Sequence, residues 1–218
     1  ENNQPMEAER DMEVRKIYAA TLRNLLYSSI LPDGSIAELA TGVYSQFAVH
    51  DVDCDGREEL VLLYDPGVTA AARGYIIDYD KDMEKIYIQL EEFPAFTFLS
   101  GGNLKALSSH NQSYGDMWPY IFYQYIPESD TYELIGYVHS EDKRILEING
   151  LEEQYPDETD MSSAGTVYYV GTDSWGTEPL DEKDYIEWLT TKRGNVEKVE
   201  IQFLAFTEEN IGILESEN

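Results

Sequence analysis

One ten-residue run constrains this chain more than any other. In Asp51-Val52-Asp53-Cys54-Asp55-Gly56-Arg57-Glu58-Glu59-Leu60, three aspartates stand at alternate positions. A glycine follows, and an acid comes three residues after it. A short loop wraps oxygen ligands around a hard cation in this way. Ca²⁺ takes six to eight oxygens from carboxylates, backbone carbonyls and water at roughly 2.3–2.6 Å. With Asp51 as loop position 1, Asp53 and Asp55 fall at 3 and 5, and Gly56 falls at 6, where a sharp turn needs glycine. Arg57 at 7 would offer its backbone carbonyl, so its side chain need not be acidic. Glu59 at 9 would bind directly or through water. Phe47-Ala48-Val49-His50 before the loop and Leu60-Val61-Leu62-Leu63-Tyr64 after it are short runs of strand formers. They predict two strands joined by a metal-binding turn.

Position 12, where an EF-hand places a bidentate glutamate, is Leu62. With that departure and with strands outside, the segment resembles the calcium loops of FG-GAP-type and integrin-propeller repeats and, more loosely, the dockerin loop. The resemblance covers about twenty residues and implies a calcium-bound hairpin without an EF-hand switch. Without an ion, the acids would form a solvated turn, the ordinary reading of a charge run. Like charges two residues apart in a tight turn repel unless a cation offsets them, which favours the ion. The expected ligands are Asp51, Asp53, Asp55, the Arg57 carbonyl and Glu59, with Ca²⁺ as the cofactor. A staple for the hairpin is favoured over a catalytic or sensing role. Mg²⁺ suits the loop less well, because it prefers rigid octahedral geometry and keeps its waters.

The 218 residues suffice for one domain with a proper core or for two small ones. The reading taken is a disordered segment over 1–5 and a single α+β domain over 6–218. A 42% hydrophobic content and 17 tyrosines exclude wholesale disorder. The net charge of −28 repels phosphate backbones and anionic membrane surfaces, so nucleic acid is excluded as a partner. The single cysteine, Cys54, permits no intramolecular disulfide. At loop position 4 it reads as a small filler, and acidic neighbours would blunt its thiol as a nucleophile. No stretch approaches the roughly twenty apolar residues of a membrane span. The opening Glu1-Asn2-Asn3-Gln4-Pro5 is polar and lacks an initiator Met, so a removed export signal is expected upstream.

Over roughly Glu7 to Ile30, Val14, Ile17, Tyr18, Leu22, Leu25 and Leu26 recur on one arc and predict a helix ended by Leu31-Pro32-Asp33-Gly34. Leu60 to Tyr64 is apolar at odd and even positions alike, as in a strand covered on both faces, and the helix is the natural cover for one. Hairpins follow: Gly74–Asp80 with Lys85–Leu90, Phe96–Leu99 with Leu104–Leu107, and Pro119–Ile126 with Tyr132–Val138. The first and third look alike, a weak repeat too small for a propeller. Glu141–Ser163 reads as a loop or irregular helix, Gly165–Val170 as a strand, and Leu180–Leu189 as a short helix stopped by Gly194. Val199–Phe206 reads as a strand and Thr207–Asn210 as the start of a final helix. The fold class is therefore α+β, mainly an antiparallel hairpin meander with a long N-terminal helix packed on the sheet and short C-terminal helices.

The long acidic helix, the Asp-rich loop between strands, the tyrosine-rich hairpins, the Asp-Glu-Lys-Asp-Tyr helix and the late Thr-Glu-Glu-Asn-Ile together resemble small exported lipoproteins of Gram-positive gut-type bacteria, a group of largely unknown function. The resemblance implies a lipid-anchored protein of the cell envelope and no reaction.

His50, His110 and His139 read as structural or exposed. No G-x-S-x-G, H-E-x-x-H, C-x-x-C or phosphate-cradling glycine loop is present, so no catalytic residue is assigned. Paired carboxylates of a hydrolase stay open as an alternative, because acids are too abundant for one pair to stand out. Tyr114, Trp118 and Tyr120 flank Gly115-Asp116, and Trp175 lies in a Gly/Ser/Asp loop. Trp118, Tyr120 and Trp175 are the candidates for stacking on a glycan or gripping a peptide; the other reading packs them over the sheet edges. The leading expectation is a monomeric, non-catalytic, calcium-stabilised binding or structural module.

Overall fold

The computed structural model describes residues 4–37, 44–111, 114–173, 175–194 and 196–216. Of the expected disordered segment 1–5, residues 1–3 lie outside the described residues, and Gln4 and Pro5 already belong to a helix, α1 (Gln4–Ser28). The chain forms two compact units, one from residues 1–94 and 200–218, the other from 95–199. Each contains one antiparallel sheet. The described elements are mostly strands, with four α-helices, so the class is α+β.

In the first unit, β1 (Gln46–His50), β2 (Glu59–Tyr64), β3 (Arg73–Asp80) and β4 (Lys85–Glu92) form successive antiparallel hairpins. A two-residue strand near the C-terminus (Leu204–Ala205) pairs with β1 and completes the order. The apolar arc of α1 buries Tyr18, Ala19, Leu22 and Leu25 against Phe47, Leu60, Leu62, Tyr64, Tyr75 and Ile77. Val61 and Ile76, one residue out of phase with those strand positions, are equally inaccessible. The strand expected to be covered on both faces is so covered. A terminal helix, Glu208–Ile213, adds Ile211 to the same core. Arg23 of α1 pairs with Glu208 and Glu215 at 2.9 and 2.7 Å.

In the second unit, β5 (Phe96–Leu99), β6 (Asn103–Leu107), β7 (Tyr120–Ile126), β8 (Thr131–Asp142), β9 (Thr166–Gly171) and β10 (Pro179–Leu180) pair in sequence order. The turn from β5 to β6 holds Gly101 and Gly102 at φ 70° and 69°, a conformation nearly closed to other residues. The helix following β10, Glu182–Arg193, lays Tyr185 and Leu189 against Tyr120, Phe122 and Val138. It ends at Gly194, φ 63°.

Two stretches differ from their sequence reading. Glu141–Ser163 is not simply a loop or irregular helix. The strand β8 runs on to Asp142, whose carboxylate caps a helix, α2 (Lys143–Ile148), by accepting from Ile145 N at 3.2 Å. Leu146 of α2 packs with Tyr155 and Val167. With six residues and Leu146 alone buried, α2 is too short for a helical period to show in the sequence. Val199–Phe206 contributes only Leu204–Ala205 as strand, because only those two residues find a partner along β1.

Candidate metal centre

The loop between β1 and β2 begins after His50, whose register partner is Glu59. Asp51, Asp53 and Asp55 each bring one carboxylate oxygen to within 4.8 Å of the other two. Backbone amides hold the carboxylates inward. Asp55 N donates to Asp53 Oδ1 at 3.0 Å, Gly56 N to Asp51 Oδ2 at 3.2 Å, and Arg57 N to Asp55 Oδ1 at 2.7 Å. The bends that allow this fall at Cys54 and Gly56, with φ 67° and 91°. A Cβ on Gly56 would meet nothing within 4 Å, so glycine is needed there for its backbone freedom and not for space. Cys54 is exposed and fills a left-handed position that Asn or Asp also adopts.

Glu59 of β2 lies close enough to the cluster to feel the charge of Asp53, but is not one of the three carboxylates that converge. It has no solvent access, and its Oε2 accepts from Val52 N at 2.8 Å. Its Oε1 and the Oδ1 of Asp51 are buried without a hydrogen-bond partner. Burial, and next the charge of Asp53, push the Glu59 carboxyl up to about 10; the Val52 amide opposes the shift. Burial also raises Asp53 to about 6, against the amide of Gln89, which donates to Asp53 Oδ2 at 2.9 Å. Two like unit charges 4.8 Å apart repel by about 3 kcal/mol at an effective dielectric constant near 20. The loop therefore concentrates carboxylate oxygen, and among the described residues no ammonium or guanidinium pairs with Asp51, Asp53 or Glu59. A divalent cation would supply the missing charge.

Arg57 stands at the loop exit. Its guanidinium pairs with Asp55 Oδ2 at 2.6 Å and with Asp78 Oδ2 of β3 at 3.0 Å. Asp78 is almost wholly buried, accepts from Tyr87 OH at 2.8 Å and lies 3.4 Å from Tyr18 OH of α1. Tyr18 OH also donates to the Glu58 carbonyl at 2.9 Å, and Arg15 clasps the Glu58 carboxylate through two 2.8 Å bonds. Sequence reasoning missed Asp78 and Gln89. The signal for Asp78 was an acid within the apolar Tyr75-Ile76-Ile77 strand; a glutamine in an alternating strand carries none.

The aromatic candidates separate. Tyr120 is 2% exposed, and its hydroxyl meets that of Tyr185 at 2.8 Å beneath the 182–193 helix, so it forms no exposed platform. Trp118 is exposed and donates from Nε1 to the Ser108 carbonyl at 2.7 Å. Trp175 packs against Tyr137 and His139, with ring centroids 5.2 and 6.0 Å away. His50 is half-buried at the end of β1, and His110 meets Ser109 Oγ through Nδ1 at 2.8 Å.

Comparison with known proteins finds no match: no family model fits the chain, and no curated protein or solved structure is significantly similar to it. Among the described residues, no helix is long and apolar enough to cross a membrane.

Proposed function

We propose that the 51–59 loop binds one calcium ion, and that the ion staples the β1–β2 hairpin of a non-catalytic binding or structural module. Asp51, Asp53, Asp55 and Glu59 supply carboxylate oxygen, and the Arg57 carbonyl completes the set. The observation that carries this reading is Glu59: a carboxylate with no access to water, one oxygen unpaired, beside three converging aspartates. A buried charge without compensation strongly destabilises a fold. A hard, flexible-coordination cation relieves it, and calcium accepts the irregular oxygen set a loop offers. Oxygen-only ligands argue against zinc and copper, which favour nitrogen and sulfur.

The cell envelope is the proposed location. Support comes from the likeness to exported lipoproteins and from the abundance of calcium outside cells, where weak sites suffice. Detection of the protein in a cytoplasmic fraction without a lipid-modified precursor would contradict it.

Calorimetric titration with CaCl2 after EDTA treatment tests the staple. Binding in the millimolar range or tighter is expected, with a melting temperature that climbs as calcium exceeds the dissociation constant. Absence of heat and of any melting shift at millimolar calcium would sink the proposal.

A further inference from the structure

The second unit holds a cavity that the calcium reading does not use. Its volume is about 360 Å³, within the roughly 300–1,000 Å³ range of small-molecule sites. Ser108, His110, Tyr114, Pro119, His139, Glu141 and Trp175 line it. The wall lies on the sheet face away from the 182–193 helix. Val138 of β8 packs toward that helix, so Tyr137, His139 and Glu141 at alternate positions point to the other side.

Its polar groups are held in place before any ligand arrives. His139 stacks on Tyr169, its register partner on β9, with centroids 4.6 Å apart and planes 3° from parallel. Its Nε2 lies 3.1 Å from the Gly176 carbonyl, which can only accept, so Nε2 carries the proton. The Tyr169 hydroxyl donates to Glu141 Oε2 at 2.6 Å and fixes that carboxylate against the sheet. Gly115 brings the 114–116 segment against β8 so closely that a Cβ there would meet Ser140 Oγ at 2.1 Å, and Asp142 N donates to the Tyr114 carbonyl at 2.7 Å. Above this floor, Tyr114 and Trp175 are 39% and 38% exposed, so their rings are accessible at the rim.

We infer that this cavity binds a short neutral saccharide, with the Trp175 and Tyr114 rings against the sugar C–H faces and with Glu141 and His110 bonding its hydroxyls. The chemistry selects this class. Hydroxyl-rich ligands need acceptors and donors side by side, together with flat apolar surface, and this wall has a carboxylate, imidazoles, hydroxyls and two accessible aromatic rings. Glu141 and the −28 net charge disfavour phosphates and acidic sugars. An extended peptide would seek an open strand edge, and along the cavity β8 has none: β9 pairs with it from Tyr137 to Asp142, and where β7 pairing ends at Val138 the 114–116 segment takes over, with Gly115 against Ser140 and the Tyr114 carbonyl on Asp142 N. Tyr114 and Trp175 are the two accessible rings of the wall, too few to cage an organic ammonium ion, and Trp175 already meets Tyr137 and His139 in tilted and edge-on contacts.

Saturation-transfer NMR and calorimetry on the full chain in calcium, with maltose, cellobiose, lactose and diacetylchitobiose as probes and choline and glucuronate as charged controls, test this. Expected is binding of at least one neutral disaccharide, weakened about tenfold or more by Trp175→Ala and several-fold by Tyr114→Ala and by Glu141→Gln. Glu141→Gln keeps the acceptor for Tyr169, so the wall stays intact if the alanine variants fail to fold. Silence from all four disaccharides, binding of choline or glucuronate alone, or disaccharide binding unchanged in all three variants would overturn the inference.

Discussion

Glu59 is shut from solvent with one carboxylate oxygen unpaired, and that single residue ties the stability of the ion-free fold to protons and, if the loop binds calcium as proposed, to the metal. Its folded-state pKa stands near 10 against an ordinary 4.5, so the ion-free fold holds the proton more tightly than the unfolded chain. The sign follows from linkage: this contribution is fully present below about pH 4.5 and is lost as the pH rises toward about 10. In EDTA, the melting temperature of the wild type should therefore fall relative to Glu59→Gln as the pH is raised from about 5 to 9, and calcium should flatten the difference. The same substitution should act with opposite signs in the two conditions. Glu59→Gln is expected to raise the ion-free melting temperature by a few degrees near neutral pH, because a glutamine is neutral without the proton that the buried carboxyl must take up on folding. It should also weaken calcium binding by about tenfold or more, because a ligand oxygen loses its charge. A variant that lowers stability equally with and without calcium would mark Glu59 as a packing residue only.

At the scale of elements, the loop is tied to α1 by residues immediately beyond its aspartates. Tyr18 OH, Glu58, Arg57 and Asp78 connect the helix, the loop exit and β3. Tyr18→Phe keeps the ring, which is inaccessible in the core, and removes only the hydroxyl that the Glu58 carbonyl and Asp78 share. Loss of a buried partner of this kind costs about 1–3 kcal/mol, to be read from urea denaturation. Arg15→Ala, by contrast, breaks a part-exposed ion pair worth about 0.2–1 kcal/mol. In the second unit, Gly115→Ala should destabilise strongly, because its Cβ would also stand 2.3 Å from the Ser140 carbonyl oxygen, which is backbone and cannot swing aside. Thermal denaturation of that variant is the check.

The chain places a cluster of three carboxylates that could hold a metal ion in one compact unit and an aromatic-lined cavity in the other, each unit with a sheet and a helix over it. Hydrogen exchange in EDTA and in calcium should register this division. Protection on adding calcium should appear in β1, β2 and α1, whose amides surround or adjoin the loop, and should begin there before any change in β7 to β9. Uniform protection of all these strands at the first calcium addition would count against a local staple.

Much of this was legible in the residues. Alternating acids, a glycine and flanking strand formers marked the β1–β2 turn, because coordination geometry and the two-residue strand period are both local rules. The helix arc through Tyr18, Leu22 and Leu25, the Gly101-Gly102 turn and the stop at Gly194 were local for the same reason. Other features depended on long-range contacts. Tyr120 and Trp118 lie two residues apart, yet one is sealed beneath a helix and the other faces water, because Tyr120 opens β7 under Tyr185 of the 182–193 helix whereas Trp118 precedes the strand. Asp78 reaches Arg57 from β3 across 21 positions, Tyr169 reaches Glu141 from β9 across 28, and Gln89 reaches Asp53 from β4 across 36, contacts that no sequence period encodes. Local rules of spacing and strand period were enough to require an oxygen-rich turn between two buried strands. Which carboxylate is cut off from water, and so where a cation would supply the missing charge, follows from the packing of distant elements, because burial is not a local property.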